Sequence, residues 1–305
     1  MDYTRLPEMP NRPEPTQLDV ELTGVMNLYT GLGYVVPVDI SKSSLLAGVG
    51  KAFMPDQFPP VQALPGLSQH SMAYLGQEVQ PALYKSARQG DERSLALAAQ
   101  FGRAVGAATS ENKAMIIHPP LTVDSAHIHV DNQSVPFSVE TGRVVEYGMG
   151  VNGLFTHLRN IQAGAYAVTA IHRSRAEVAV LQGVTEFYGV SSAQLDVIDR
   201  GIAYRSGSLL KQQGQESTDL IIASRVHEAG SELRTGIIKG ERLLRKAGLL
   251  VVRGPRIYSK GIGYDQVADQ MHKSKNLQVA VDQQYDEKVG GGQVDHSRLV
   301  IASKT

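Results

Sequence analysis

Three observations in the amino-acid sequence predict an α/β protein. After residue 143, short apolar runs typical of strands alternate with segments whose apolar residues recur at helical spacing, a pattern typical of a doubly wound, mostly parallel sheet. The last two apolar runs are joined by a polar, glycine-rich connection without a helix, which predicts an antiparallel terminal hairpin at the sheet edge. Residues 1–142 lack this alternation and predict a helical and β-hairpin region instead.

The overall composition excludes several classes of protein. The chain has 305 residues, with 30 basic and 30 acidic side chains and no cysteine. Balanced charge gives no general attraction to nucleic acid or membranes, and the lack of cysteine excludes disulfides, thiol nucleophiles and thiolate metal sites. The N-terminus is polar and proline-rich, unlike a signal peptide, and no apolar run approaches the roughly 18–20 residues that span a bilayer. We expect a cytoplasmic protein without a membrane partner.

The proline spacing at the N-terminus predicts an extended arm over residues 1–16. Prolines recur there every three residues, the repeat of polyproline II structure, at Pro7, Pro10 and Pro13. Such an arm lies on the protein's own surface or binds a partner subunit. We expect residues 17–142 to cap the substrate site or to form a homodimer, although the pattern of residues 17–66 assigns no element.

Residues 68–110 predict two helices. The first carries one apolar stripe, with Ser68 placed to cap it and Pro81 placed to kink it. Asp91 is placed to cap the second helix. Between residues 114 and 140 the apolar period changes to two, which predicts strands.

One of these strands places two histidines and an aspartate on a single face. Ala126, Ile128 and Val130 form its apolar face, so the opposite face carries His127, His129 and Asp131. Two imidazoles and a carboxylate can bind zinc or iron. The polar face of a half-buried strand more often meets water or a neighbouring domain, and we expect no metal.

The region after residue 142 predicts seven strands. The runs after the first are Tyr166–Ile171, Ile202–Tyr204, Asp219–Ala223, Leu249–Val252, Leu277–Val281 and Arg298–Ala302. A helix is predicted from Arg175 to Phe187, and another carries Leu233, Ile237 and Leu244 on one face.

A glycine-rich turn follows the first of these strands. Gly148, Gly150 and Gly153 lie between an apolar strand and an amphipathic helix. Glycine lets the backbone turn tightly and approach a ligand where a side chain would block it. A strand, glycine loop and helix in this order bind nucleotide-like cofactors beyond the carboxyl end of a parallel sheet.

These segments resemble the class I S-adenosylmethionine-dependent methyltransferases, which have a Rossmann-like fold. Glu146–Thr156 resembles the family's E-x-G-x-G-x-x-G motif, and Ser217–Ser224 resembles its fourth strand. Leu243–Val252 resembles the entry to its fifth strand, and Leu299–Lys304 resembles the antiparallel strand that closes its sheet. The resemblance covers about residues 143–305 and implies S-adenosylmethionine as cofactor.

The resemblance also implies a set of cofactor contacts, with two departures. An acidic residue usually ends the second strand and binds the ribose hydroxyls, but His172 stands there; an aspartate usually follows the third strand near the adenine, where we find Ser208. Glu146 is expected near the methionine end of the cofactor. The full set is Glu146, Gly148, Gly150, Gly153, Thr156, His172, Arg173, Gly207, Ser208 and Ser224.

Candidate catalytic residues follow the fourth and fifth strands, because ligands in open α/β sheets lie beyond the carboxyl ends. They are Arg225, His227, Glu228 and Tyr258. His227 suits a general base, since the unperturbed pKa of histidine is about 6.5. Arg253, Arg256 and Lys260 are candidates to bind an anionic substrate, or they form a solvated basic loop.

Three functions remain open at this stage. The first is methyl transfer to a small molecule, without a nucleic-acid partner. The second is an inactive, methyltransferase-like interaction subunit, favoured by the two missing acidic residues. The third is an NADP-dependent oxidoreductase, in which Arg173 and Arg175 would meet the 2′-phosphate.

Overall fold

The chain forms a large mixed sheet, a small antiparallel sheet and a group of N-terminal helices. The computed structural model describes residues 14–54, 68–111, 121–124, 126–130, 133–137, 142–148, 160, 164–165, 167–172, 174–192, 194–199, 202–224, 226, 230–256, 263–288 and 294–305. The predicted arm at residues 1–16 lies almost entirely outside the described residues. The proposed boundaries at 16 and 142 stay predictions, as does a homodimer.

The described residues between 17 and 111 form mainly helices. The elements are α1 (Gln17–Gly31), α2 (Lys42–Phe53), α3 (Gln69–Ala73), a π-helical turn (Tyr74–Val79), α4 (Gln80–Gln89) and α5 (Glu92–Glu111). The two helices predicted between residues 68 and 110 are confirmed, the first being interrupted by the π turn before Pro81. The Ser68 side chain accepts a hydrogen bond from Ser71 N at 3.1 Å, and Asp91 accepts one from Ser94 N at 2.8 Å.

The sequence pattern assigned no element between residues 17 and 66, but α1 and α2 lie there, and local capping signals indicate both. Thr16 and Asp19 form a capping box at the start of α1, in which each side chain accepts from the other residue's backbone amide. Ser41 caps α2 by accepting from Ser44 N at 3.2 Å.

The small sheet covers one face of the large sheet. It contains the antiparallel strands β1 (Leu121–Val123), β2 (His127–Val130) and β3 (Gln133–Pro136). Ile128 and Val130 are fully buried in a core shared with the large sheet, whereas His127 and His129 are only half-buried. The predicted alternation of this strand is therefore confirmed over its described residues.

The large sheet confirms the predicted fold class. Its elements are β4 (Arg143–Tyr147), β5 (Ala167–His172), α6 (Arg175–Phe187), β6 (Leu195–Asp199), α7 (Ile202–Gln213), β7 (Thr218–Ser224), α8 (Gly230–Leu243), β8 (Leu244–Pro255), α9 (Tyr264–Lys273), β9 (Leu277–Lys288) and β10 (Val294–Lys304). The strand order is β6-β5-β4-β7-β8-β10-β9. The first five strands are parallel, and β10 is antiparallel to both of its neighbours.

The predicted third strand at Ile202–Tyr204 was wrong. Those residues begin helix α7, and the strand lies earlier, at β6. The predicted helix from Arg175 to Phe187 is confirmed as α6. The terminal hairpin is also confirmed, with its last strand inserted between β8 and the edge strand β9.

The N-terminal helices attach to the large sheet through backbone-to-backbone packing of α5 on α6. A Cβ atom at Gly183 of α6 would lie 1.9 Å from the carbonyl oxygen of Ala99, and one at Gly102 of α5 would lie 2.0 Å from that of Val180. Apolar residues of α6 accordingly belong to the same buried cluster as those of the N-terminal helices. Only glycine, which has no Cβ atom, permits the two helix backbones to lie this close together.

Gly183→Ala should lower the free energy of unfolding by about 3 kcal/mol, because the new methyl group forces α5 and α6 apart. Gly48→Ala is the matched control: its Cβ would lie 3.8 Å from Leu75 Cδ1, an ordinary contact within α2. That variant should gain about 0.5–1 kcal/mol from helix propensity. Urea denaturation followed by circular dichroism measures both, and equal behaviour of the two variants would contradict the close packing.

Candidate active site

The order of the strands reverses at β4. The chain moves outward from β4 to β5 and β6, then returns to place β7 on the other side of β4. Such a reversal opens a crevice at the carboxyl ends of the strands, and ligands of open α/β sheets bind in it. The carboxyl end of β4 therefore marks the candidate site.

Gly148 makes the turn at that position. Its φ angle is +57°, in the left-handed region that favours glycine, and its amide donates to the carbonyl oxygen of Ile171 at 2.8 Å. The turn predicted after the first strand thus begins at the point where the strand order reverses. The other predicted loop contacts, Gly150, Gly153 and Thr156, lie outside the described residues.

Glu146 is fully buried and accepts a hydrogen bond from the side-chain amide of Asn160, which is also fully buried. Asn160 follows the glycine-rich segment in sequence. The contact therefore joins Asn160 to β4. The expected place of Glu146 near the methionine end of the cofactor stays a prediction.

His172 ends β5 and is almost fully buried. Its Nδ1 atom lies 3.7 Å from a carboxylate oxygen of Glu177, which belongs to the first turn of α6 and is 26% exposed. An acidic group is thus present beside the end of the second strand, although it comes from the following helix.

Asp199 ends β6 and lies in register with His172. This corrects the position of the acidic residue expected after the third strand, because Gly207 and Ser208 lie inside α7 rather than at a strand end. The reason for selecting Gly207 and Ser208 is therefore lost. Asp199 accepts a hydrogen bond from Arg175 Nε at 3.0 Å.

A cleft of about 390 Å³ adjoins this pair. It is lined by α5, α6, Arg175 and Asp199. The turn between α4 and α5 also approaches Arg175, since a Cβ at Gly90 would lie 2.4 Å from Arg175 Nη1. The N-terminal helices thus border the crevice at the ends of β5 and β6.

Tyr264 anchors the chain where it leaves β7 and β8. Its hydroxyl accepts a hydrogen bond from Val226 N at 2.7 Å, and a Cβ at Gly254 would lie 2.2 Å from its ring. Val226 follows Ser224, a buried predicted contact at the end of β7. The predicted residues Arg173, Arg225, His227, Glu228 and Tyr258 lie outside the described residues.

Two of the three basic residues proposed for an anionic substrate are already engaged. Arg253 is buried beside Ser224, and its guanidinium lies 5.6 Å from the centre of the Tyr285 ring. Arg256 Nε lies 3.1 Å from an oxygen of Asp265. Lys260 lies outside the described residues. Buried Arg253 therefore does not belong to the solvated basic loop that was one interpretation of the sequence, whereas the Arg256 side chain is 38% exposed.

An ion-pair network holds the terminal hairpin to α9. Arg298 donates to both carboxylate oxygens of Asp282, at 2.8 and 2.7 Å, and to Asp265 at 3.1 Å. His272 Nε2 lies 2.7 Å from Asp282. The hydrogen bonds from Arg298, assisted by His272, lower the pKa of Asp282 from 3.8 to about 2.

Of the two carboxylates, only Asp199 could have been identified from the sequence. Leu195–Asp199 contains two adjacent β-branched residues, Val197 and Ile198, and ends in an acidic residue before a helix, which is a strand signal. Asn160 and Tyr264 carry no such signal, because each contacts a residue of an earlier segment of the chain. Glu177 carries none either, because its place beside His172 depends on how α6 packs after β5.

Comparison with known proteins gives partial likenesses of fold. A candidate S-adenosylmethionine-dependent methyltransferase from Streptococcus mutans aligns over 54% of this chain and 45% of its own, at 12% identity and a TM-score of 0.42. A protein of the same description from Methanosarcina mazei aligns over 55% and 94%, at 10% identity and a TM-score of 0.43. An rRNA methylase from Streptococcus thermophilus aligns over 54% and 87%, at 15% identity and a TM-score of 0.39.

The chain spans less than half the length of the Streptococcus mutans protein. No family model and no curated protein matches the sequence. Among the described residues, no helix is both long and apolar enough to cross a bilayer. The order and direction of the strands are therefore what establish the fold.

Asn160→Ala should lower the free energy of unfolding by about 2 kcal/mol, because it removes a donor from a buried carboxylate. Asn276→Ala is the matched control, since Asn276 Nδ2 donates to Glu241 at 2.7 Å on the surface, and it should cost less than about 0.5 kcal/mol. Chemical denaturation compares the two. Equal losses of unfolding free energy in the two variants would show that the buried Glu146–Asn160 contact stabilises the fold no more than the surface contact of Asn276 does.

Asp282→Asn should lower the free energy of unfolding near pH 6 by about 1 kcal/mol. Because the pKa of Asp282 is lowered from 3.8 to about 2, its contribution is present above pH 4 and is lost as the pH falls toward 2. The difference between wild type and variant should therefore shrink over that interval. Asp286→Asn, which disrupts an exposed pair with His296, should show no such change in thermal unfolding measured against pH.

Proposed function

We propose that residues 143–305 bind S-adenosylmethionine and transfer its methyl group to an acceptor. The observation that carries this proposal is the left-handed turn at Gly148, at the carboxyl end of the strand where the sheet order reverses. A Cβ at Gly148 would lie 3.4 Å from Val226 Cγ2, and a glycine turn at the carboxyl end of such a strand is where nucleotide-like ligands approach the backbone. The motif that resembles the methyltransferase family begins at the same place.

The strand order supports methyl transfer over nicotinamide chemistry. The dinucleotide-binding arrangement places a sixth strand directly beside the fifth. Here β10 separates β8 from β9 and runs antiparallel to both, and an antiparallel seventh strand is what the resemblance to methyltransferases implies.

The acidic side chains beside β5 and β6 fit an adenosine group. We propose that Glu177 accepts hydrogen bonds from the ribose hydroxyls, with His172 beside it, and that Asp199 meets the adenine amino group. Both carboxylates are partly exposed, at 26% and 28%, so a ligand can reach them. An inactive subunit was favoured by missing acidic residues, and these two weaken that alternative.

When bound, S-adenosylmethionine would supply an electrophilic methyl group on a sulfonium. The contribution of the chain is to orient the acceptor in line with that methyl group, to exclude water and to accept a proton. We propose His227 as the base, accepting the acceptor's proton on an imidazole nitrogen, with Arg225, Glu228 and Tyr258 orienting the acceptor. The Tyr264 hydroxyl fixes Val226, the residue before His227.

We propose a small molecule as the acceptor. The formal net charge of the chain is zero, whereas nucleic-acid binding depends on unpaired basic groups that neutralise phosphates. Arg253 is buried and Arg256 pairs with Asp265, so neither offers a free charge to a polyanion. Selection of the acceptor by the N-terminal helices stays a prediction, because the cleft that they border adjoins Asp199, the proposed adenine contact, and not the segment after β7.

Isothermal titration calorimetry with S-adenosylhomocysteine, S-adenosylmethionine and NADPH tests the proposal. The two adenosyl compounds should bind at one site per chain, and NADPH should not. Asp199→Asn should weaken adenosyl binding about tenfold, since it removes a charged acceptor. Asp196→Asn, on the same strand but exposed, is the matched control and should bind as the wild type does.

Binding of NADPH alone would contradict the proposal in favour of an oxidoreductase. If the folded chain binds none of the three compounds, the result would contradict the proposal and favour an interaction subunit.

A further inference from the structure

The turn between β1 and β2 brings a carboxylate beside two imidazoles on the outer face of the small sheet. Asp124 accepts hydrogen bonds through Oδ1 from the amides of Ala126 and His127, at 2.8 and 2.7 Å. Its other oxygen, Oδ2, lies 2.8 Å from Nε2 of His129. One donor atom from each of Asp124, His127 and His129 lies within 4.8 Å of the other two.

The backbone fixes the direction of these side chains. Residues at alternate positions of a strand share a face, so His127 and His129 project together, with ring centres 5.8 Å apart. Ile128 and Val130, on the other face, are fully buried against the large sheet. The strand cannot slip by one residue without exposing this core, so the two imidazoles remain on the outside.

The three groups form a donor set that suits a divalent transition metal ion. Bonds of about 2.0–2.2 Å from nitrogen and oxygen to zinc place neighbouring donors of a tetrahedral site roughly 3.3 Å apart. The distance from His129 Nε2 to Asp124 Oδ2 is 2.8 Å, and the distance from His127 Nδ1 to the other carboxylate oxygen, Oδ1, is 3.8 Å. These two values lie on either side of roughly 3.3 Å, the donor spacing of such a site. Small rotations of half-exposed side chains can therefore bring all three donors into a coordination sphere.

We propose that Asp124, His127 and His129 bind a divalent transition metal ion, of which Zn²⁺ is the representative, on the outer face of the small sheet. The sequence pattern paired the histidines with Asp131, which lies outside the described residues, and did not select a metal site. The carboxylate comes instead from Asp124, in the turn between β1 and β2. Three protein ligands leave a fourth position for water or another donor.

Titration of the chelator-treated, full-length chain with Zn²⁺ near pH 7 tests this site. Calorimetry should detect one saturable site, Co²⁺ should give visible absorption bands typical of ligation by protein donors, and Zn²⁺ should raise the melting temperature. His129→Gln should weaken Zn²⁺ binding about tenfold or more. Removing a residue that only supports a metal ligand already lowers metal affinity about tenfold, so removing a ligand should lower it by at least as much.

Two further variants separate metal binding from the stability of the turn. Asp124→Asn retains a carbonyl oxygen for the two backbone amides but loses the anionic ligand, so it should keep the fold and lose the site. His296→Gln is the matched control: His296 lies 2.7 Å from Asp286, and among the described residues no third ligating group joins that pair. It should bind Zn²⁺ as the wild type does.

Absence of saturable Zn²⁺ binding by the wild type would overturn the proposal, as would Zn²⁺ binding by Asp124→Asn and His129→Gln that equals binding by the wild type. Asp124 would then serve only to cap the turn. These outcomes do not depend on adenosyl binding by the large sheet, because the histidines face away from it.

Discussion

The reversal of strand order at β4 is the constraint on which the candidate site depends. Because β5 and β7 lie on opposite sides of this strand, the connections that leave their carboxyl ends must diverge, and the crevice between them cannot be filled by the chain's own crossover helices. Gly148 turns at this point with a positive φ angle. The buried contact between Glu146 and Asn160 joins Asn160 to the same strand.

Contacts outside the crevice keep its edges in place. The glycine contacts of α5 with α6 fix the helix that presents Glu177, while Tyr264 joins the chain beyond β7 to Gly254 of β8. The hairpin at the other end is held to α9 by Arg298. Residues remote from the proposed cofactor therefore determine where its binding groups lie.

Local patterns were sufficient to predict the sheet, the first glycine turn and the terminal hairpin, because each depends on periodicity or on glycine placement within a short segment. The third strand was misplaced since Ile202–Tyr204 is apolar enough to resemble a strand, and this error moved the expected acidic residue from Asp199 to Ser208. Glu177 and Asp124 could not be predicted from such patterns. Each joins its site only when separate elements fold together.

Amide chemical-shift mapping by NMR, with S-adenosylhomocysteine added to the full chain, tests the central claim most directly. The account predicts that the largest shifts occur at Gly148, His172, Glu177 and Asp199, with the β9–β10 hairpin unchanged. Shifts confined to the N-terminal helices or to that hairpin, with Gly148 unaffected, would contradict a ligand crevice at the strand reversal.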